Sequence, residues 1–95
     1  MTSLSTHVLD TGAGAPAADV AVELHRDGAL VAEARTDQDG RARLGDDLVP
    51  GAYRLVFHPP SPFFTRVELE VELGDGHFHV PLLASPYSCA SYRGS

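Results

Sequence analysis

Between Val67 and Leu73 the chain reads Val-Glu-Leu-Glu-Val-Glu-Leu, an unbroken alternation of apolar and acidic side chains. Successive side chains of a β-strand point to opposite faces, so Val67, Leu69, Val71 and Leu73 share one face and Glu68, Glu70 and Glu72 the other. On a helix the same residues would scatter around the barrel, with no continuous apolar stripe. The segment therefore reads as a half-buried strand with one wet face. Val20, Val22 and Leu24 alternate in the same way with Ala21, Glu23 and His25. Tyr53, Leu55 and Phe57 alternate with Arg54, Val56 and His58, which reads as a more buried strand. No segment carries a convincing amphipathic helical pattern.

Turn signals separate these runs: Thr11-Gly12-Ala13-Gly14, Asp27-Gly28, Asp39-Gly40, Pro50-Gly51 and Gly74-Asp75-Gly76. Asp27-Gly28 lies between two strand patterns and signals a hairpin. The chain divides into eight expected strands, over residues 4–10, 18–26, 29–36, 41–44, 51–58, 64–73, 77–83 and 87–92. Short strands with frequent turns predict an all-β fold, an antiparallel two-sheet sandwich or small barrel. His58-Pro59-Pro60-Ser61-Pro62 cannot be a central strand, because proline lacks the ladder donor, so it reads as a crossover or corner.

Ninety-five residues make one domain, spanning 1–95. A chain this short buries roughly 60–65% of its unfolded surface, so its core is thin and oligomerisation would help it. The net charge is −6 and the pI about 5.1, which argues against nucleic acid and against anionic membrane surfaces as partners. No stretch is long and apolar enough to span a bilayer. MTSLSTHVLD has neither the basic nor the apolar region of a secretory signal, and the single cysteine, Cys89, allows no intrachain disulfide. Together these features lead to an expectation of a cytoplasmic protein. The last residues, Tyr92-Arg93-Gly94-Ser95, follow an apolar, turn-punctuated run from His77, so this end is expected to pack against something rather than fray.

The middle of the chain, Thr36 to Phe57, has the grammar of many unrelated sandwich modules and by itself carries no chemistry. The two ends are different. Leu4 to Ala17 (LSTHVLDTGAGAPA), Thr36 to Arg41 (TDQDGR) and His79 to Ser95 (HVPLLASPYSCASYRGS) resemble the 5-hydroxyisourate hydrolases, the transthyretin-related enzymes of urate breakdown. The resemblance covers nearly the whole chain, and the YRGS ending separates these hydrolases from transthyretin itself. It implies a transthyretin-like two-sheet sandwich assembled as a homotetramer, a dimer of dimers, with sites in a channel between dimers. It implies catalytic roles for His7, Arg41 and His79, and a substrate-binding role for Tyr92, Arg93, Gly94 and Ser95. Two departures stand out. Cys89, Ala90 and Ser91 replace the usual Tyr-Ser-Thr before YRGS. The short helix that relatives carry between the fifth and sixth strands has too few residues here, and is expected to be shortened or absent.

The chemistry suits these residue types. The implied substrate, 5-hydroxyisourate, is a flat, oxygen-rich purine derivative whose six-membered ring opens at an amide-like bond, giving 2-oxo-4-hydroxy-4-carboxy-5-ureidoimidazoline. Water must lose a proton as it attacks, and the developing oxyanion must be stabilised. Imidazole suits the first task near neutral pH and guanidinium the second. The expected assignment makes His7 the main base or orienter of water, His79 its partner and Arg41 the electrophilic anchor. Ser95 with the carboxyl terminus would form a polar wall. Each residue also has a blander reading. A lone strand histidine is more often structural, an arginine after Asp-Gly is usually a solvated strand start, and His25 and His58 read as solvated or edge residues. His77 and His79 share a strand face, so a metal pair with His7 as third ligand is conceivable. No cysteine or carboxylate stands at a suggestive spacing, and neither metal nor cofactor is expected. The rival readings are a transthyretin-type carrier, holding a small ligand without turning it over, and a spacer module.

Overall fold

The computed structural model describes residues 1–94. Nine strands follow one another: β1 (Thr2–Asp10), β2 (Ala15–Pro16), β3 (Ala21–Arg26), β4 (Ala29–Arg35), β5 (Arg41–Leu48), β6 (Gly51–Phe57), β7 (Val67–Leu73), β8 (Gly76–Ser85) and β9 (Ser88–Ser91). One sheet runs β4-β3-β6-β7. The other runs β2-β1-β8-β9, with β5 also paired to β1, on the edge that β2 uses further along. The fold is all-β, and the described residues contain no helix. The crossover from His58 to Arg66 is irregular, without the helical turn that the resemblance would otherwise supply.

The period-two reading maps onto burial. In β7 the Val and Leu side face the core and the glutamates are exposed. In β3, Val22 and Leu24 are fully buried, and in β6, Tyr53, Leu55 and Phe57 all point inward. Against them the second sheet sets Leu4 and Val8 of β1, Leu44 of β5, and Val80 and Leu82 of β8. Removing this apolar surface from water is the main force holding the sheets together. Two buried threonines also face this core from β1, and each is satisfied by a backbone carbonyl. The Thr2 hydroxyl donates to Gly74 O and the Thr6 hydroxyl to Val80 O, both at 2.6 Å. A polar group left unpaired there would cost about 1–3 kcal/mol.

The β3–β4 hairpin turns at Asp27 and Gly28, which both have positive φ, 51° and 79°. A two-residue hairpin turn of this kind requires that conformation at both positions. Several boundaries differ from the sequence pattern, among them the start of β3, at Ala21 rather than 18, and the end of β8, at Ser85 rather than 83. β5 runs on to Leu48, past the expected residue 44. Strand β7 starts at Val67, three residues late. The two-residue strand β2, which closes onto Leu9 and Asp10, has no periodic signal because it is too short to have one.

The pairing of β1 with β8 qualifies the antiparallel expectation. These two strands are parallel and in register over nine residues, from Thr2 opposite Gly76 to Asp10 opposite Ala84. Every other ladder is antiparallel. Strands far apart in the chain are not tied by a hairpin, so either direction is open to them. This parallel ladder sets the functional face.

Candidate active site

Since Thr2, Leu4, Thr6 and Val8 point into the core, Ser3, Ser5 and His7 must lie on the outer face of β1. The same alternation turns His77 and His79 outward from β8. The parallel register then sets Ser3 beside His77 and Ser5 beside His79. On the other side of β1, the antiparallel ladder sets His7 opposite Arg41 and Ser5 opposite Arg43. Three strands thus present three histidines, two serines and two arginines on one patch, with His7 at its head. Ser5, Arg41, Arg43, His77 and His79, with Asp37, line an open cleft of about 660 Å³.

Arg41 is held by the turn before it. The Asp37 carboxylate accepts from the backbone N–H groups of Asp39 (2.9 Å) and Arg41 (3.0 Å), and the Asp37 N–H donates to Arg41 O at 2.8 Å. Aspartate favours such turns because its short side chain can bond its own backbone two residues on. Gly40, with φ of 77°, lets the turn dock on β1, where its carbonyl accepts from Val8 N–H at 2.7 Å. The docked turn brings the Asp39 carbonyl within 2.7 Å of His7 Nε2. A carbonyl only accepts, so Nε2 of His7 carries a proton, and Nδ1 is the nitrogen left to face other partners.

His79, like His7, is half-buried. Its Nδ1 lies 2.8 Å from Ser5 Oγ. Burial first, and then the positive surroundings of His7, Arg41 and His77, push its pKa below the ordinary histidine value. The shift favours the neutral ring, the form able to take a proton. His77 is more exposed, with Nε2 3.0 Å from Ser5 Oγ and Nδ1 2.6 Å from Ser3 Oγ. Both its nitrogens are thus engaged by hydroxyls. No group of three or more metal-binding side chains is placed to hold an ion among the described residues.

The chain end divides between two faces. Gly94 bridges to β8, its N–H donating to His79 O at 2.6 Å. A side chain at this position would meet the His79 ring, with Cβ only 2.7 Å from Cδ2. Only glycine lets the backbone lie against the imidazole. Alternation then sends Arg93 to the opposite face, where its guanidinium stacks 4.5 Å over the Phe78 ring. Tyr92, 56% exposed, lines a second cleft with Arg93, Leu69 and Val71. Within one chain, then, Gly94 stands with the histidines and Arg93 does not. Ser95, the remaining residue of the expected set, lies outside the described residues.

Sequence reasoning passed over Ser3, Ser5, Asp37 and Arg43, and took His77 only as a metal candidate. The signal for the serines was present, since they precede His7 by four and two residues on the same strand face. Their meeting with His77 and His79 depends on a pairing between strands more than 70 residues apart. His25 and His58 are also not simply solvated. Each donates to one oxygen of the Glu23 carboxylate, at 2.8 and 2.6 Å, on the outer face of the other sheet.

The topology and the polar outer face define the class of the protein, a small two-sheet β-sandwich with an open cleft lined by histidines and arginines. The chain belongs to the HIUase/Transthyretin family, whose family model matches residues 4–94. It is 44% identical to a 5-hydroxyisourate hydrolase of Caulobacter vibrioides and 39% identical to one of Pseudomonas aeruginosa, covering 100% of the first and 93% of the second. All of this chain takes part in both matches. Among solved structures it resembles the 5-hydroxyisourate hydrolase of Klebsiella pneumoniae, with a TM-score of 0.91 and 37% identity over the whole of both chains. Sea bream transthyretin in complex with thyroxine has the same fold, with a TM-score of 0.83 and 26% identity, over 96% of this chain and 93% of that one.

Proposed function

We propose that this protein is a hydrolase that opens the ring of 5-hydroxyisourate to give 2-oxo-4-hydroxy-4-carboxy-5-ureidoimidazoline. The observation that carries the reading is the gathering of His7, Arg41 and His79 on the outer face of three adjacent strands, with Arg41 and His79 lining one cleft and His7 registered beside Arg41. The high identity to hydrolases over full length supports it. β5 and β8 flank β1, and Arg41 is registered with His7 while His79 is registered with Ser5, so their backbones stand two strand spacings apart and two residues offset along the strands, about 12 Å. A flat purine-type ring can lie across that span.

In this mechanism a neutral His79 takes a proton through Nε2 from water as the water oxygen bonds to the ring carbonyl. The carbonyl electrons move onto oxygen, where the Arg41 fork meets the developing charge. His7 presents Nδ1 to substrate or water, its orientation fixed by the Asp39 carbonyl. The C–N bond then breaks and the leaving nitrogen takes up a proton. No covalent enzyme intermediate is required, and neither metal nor cofactor. The working form is a cytoplasmic homotetramer, a dimer of dimers whose channel closes the open cleft, with Tyr92, Arg93, Gly94 and Ser95 lining the contact and binding substrate. The exposed Tyr92 and Tyr87 are consistent with further burial on assembly.

The test is ultraviolet absorbance after making 5-hydroxyisourate in situ from urate. A hydrolase accelerates its decay, and exhaustive chelation leaves the rate unchanged. A transthyretin-type carrier leaves the spontaneous decay as it was, and that outcome would replace the reading with a binding function.

A further inference from the structure

The Ser5 hydroxyl stands between two imidazoles. It lies 2.8 Å from His79 Nδ1 and 3.0 Å from His77 Nε2, and His77 Nδ1 lies 2.6 Å from Ser3 Oγ. A hydroxyl has one proton to donate. When Ser5 donates to one ring nitrogen, the other can bond to it only as N–H. The tautomers of His77 and His79 are therefore coupled. If Ser5 donates to His77 Nε2, His79 holds its proton on Nδ1 and keeps Nε2 free as a base, and His77 Nδ1–H donates to Ser3. If Ser5 donates to His79 Nδ1, every bond in the row reverses.

We propose that Ser3, His77 and Ser5 form a proton relay that serves His79, carrying protons between the cleft and the exposed edge of β8. The inference rests on the hydrolase reading and names positioning residues for it. As water bonds to the substrate carbonyl, its proton goes to His79 Nε2. The Nδ1 proton passes to Ser5, the Ser5 proton to His77 Nε2, and the His77 Nδ1 proton to Ser3, which releases its own to solvent. One proton has moved from water in the cleft to water outside, and His79 is again neutral. When the ring C–N bond breaks, the row runs backwards. His79 gives its Nε2 proton to the leaving nitrogen, and a proton from solvent enters through Ser3 to restore Nδ1–H.

Electrostatics favour such a path. The groups facing His79 are His7 and Ser5 from β1, Arg41 and Arg43 from β5, His77 from its own strand, and Gly94 from the chain end. Two of these are guanidinium groups, Arg43 being paired with Asp46, and the cleft's one carboxylate, Asp37, is engaged by the backbone N–H groups of Asp39 and Arg41. An imidazolium lasting through the reaction would be repelled by Arg41 just where Arg41 is needed for the oxyanion. Shuttling the proton away removes that repulsion. The lowered pKa of His79 comes first from its burial and then from the same positive surroundings.

The experiment is steady-state turnover of 5-hydroxyisourate by the full chain, with rates in H2O–D2O mixtures. Ser5→Ala breaks the row. His77→Gln keeps an amide able to bond Ser5 but unable to pass a proton, and His77 is exposed, so this variant tests chemistry rather than folding. Each should lower kcat about 10-fold with little change in KM, less than the roughly 10²–10⁴-fold cost of losing the base itself. The double variant should be no worse than either single one, and Ser5→Thr should restore the rate. A curved dependence on deuterium fraction in the wild type should become linear in both variants. If His77→Gln keeps the wild-type kcat and the curved dependence while His79→Asn is inactive, the relay is wrong and the hydrolase reading stands. If His79→Asn itself keeps wild-type turnover, the assignment of His79 fails first. Should Ser5→Ala not fold, His77→Gln alone decides.

Discussion

Replacing Gly40 with alanine would test whether the docked Asp-Gly turn is what joins His7 to Arg41. Gly40 has φ of 77°, and a Cβ there would lie 2.4 Å from Val8 O, 3.1 Å from Pro16 Cβ and 3.2 Å from Ala17 N. The nearest of these is backbone in the middle of β1 and cannot swing aside. The turn would have to retreat by about 1 Å to reach ordinary contact. The left-handed conformation costs a non-glycine residue about 1–2 kcal/mol. Losing the 2.7 Å bond from Val8 N–H to Gly40 O adds about 0.5–1.5 kcal/mol. A loss of about 2–3 kcal/mol follows, and for a chain of this size that lowers Tm by about 10–20 °C. The retreat also carries away the Asp39 carbonyl that orients His7, together with the start of β5 at Arg41. Turnover should fall about 10²-fold, as expected of a misplacement on this scale. Thermal melts should be run at one fixed protomer concentration, because the proposed assembly would make Tm concentration-dependent. Gly40→Asn separates the two causes. Asparagine tolerates positive φ but still carries Cβ, so it should recover part of the stability and little of the activity. If Gly40→Ala melts within about 2 °C of the wild type and keeps its turnover, the turn is not rigidly docked and the reasoning fails.

Other outcomes follow from the same geometry. His7→Asn, His79→Asn and Arg41→Lys should each cost about 10²–10⁴-fold in turnover, with combined losses far below additive, since the proposed mechanism sets the three on one transition state. His25→Asn and His58→Asn, on the other sheet, should leave turnover nearly unchanged, and a deep loss in either would move the site. Light scattering should give a tetramer at micromolar concentration, and a stable, active monomer would sink the channel model. The Glu23 carboxyl is held below its ordinary pKa of 4.5 by hydrogen bonds from His58 and then His25. A depressed folded pKa gives stability that is present above the unfolded value and lost as pH falls through the folded one. In urea unfolding, the stability gap between wild type and Glu23→Gln should be full above pH 4.5 and shrink below it. A gap that does not change with pH would mean that Glu23 acts through packing rather than charge.

What could be read from the sequence was what depends on neighbours in the chain. The alternation in Val67–Leu73 fixes which side chains of that strand face water, because a strand's period is local. Asp27-Gly28 specifies its hairpin, and the prolines after His58 leave no room for a helix, for the same reason. His7, Arg41 and His79 could be offered as candidates because the motifs that carry the resemblance are contiguous in sequence. The tertiary structure decided what these residues touch. The direction of β1 against β8 is set by how two distant strands pack, not by any turn between them. That parallel register, and nothing near them in the chain, brings Ser3 and Ser5 to His77 and His79. The same is true of Glu23, which closes on His58 across 35 residues, and of the chain end, where a single bridge at His79 turns Gly94 to the histidines and Arg93 to Phe78. Propensity and periodicity act over a few residues. Contacts between distant strands are fixed only when the two apolar faces meet and bury each other, and that choice belongs to the whole fold.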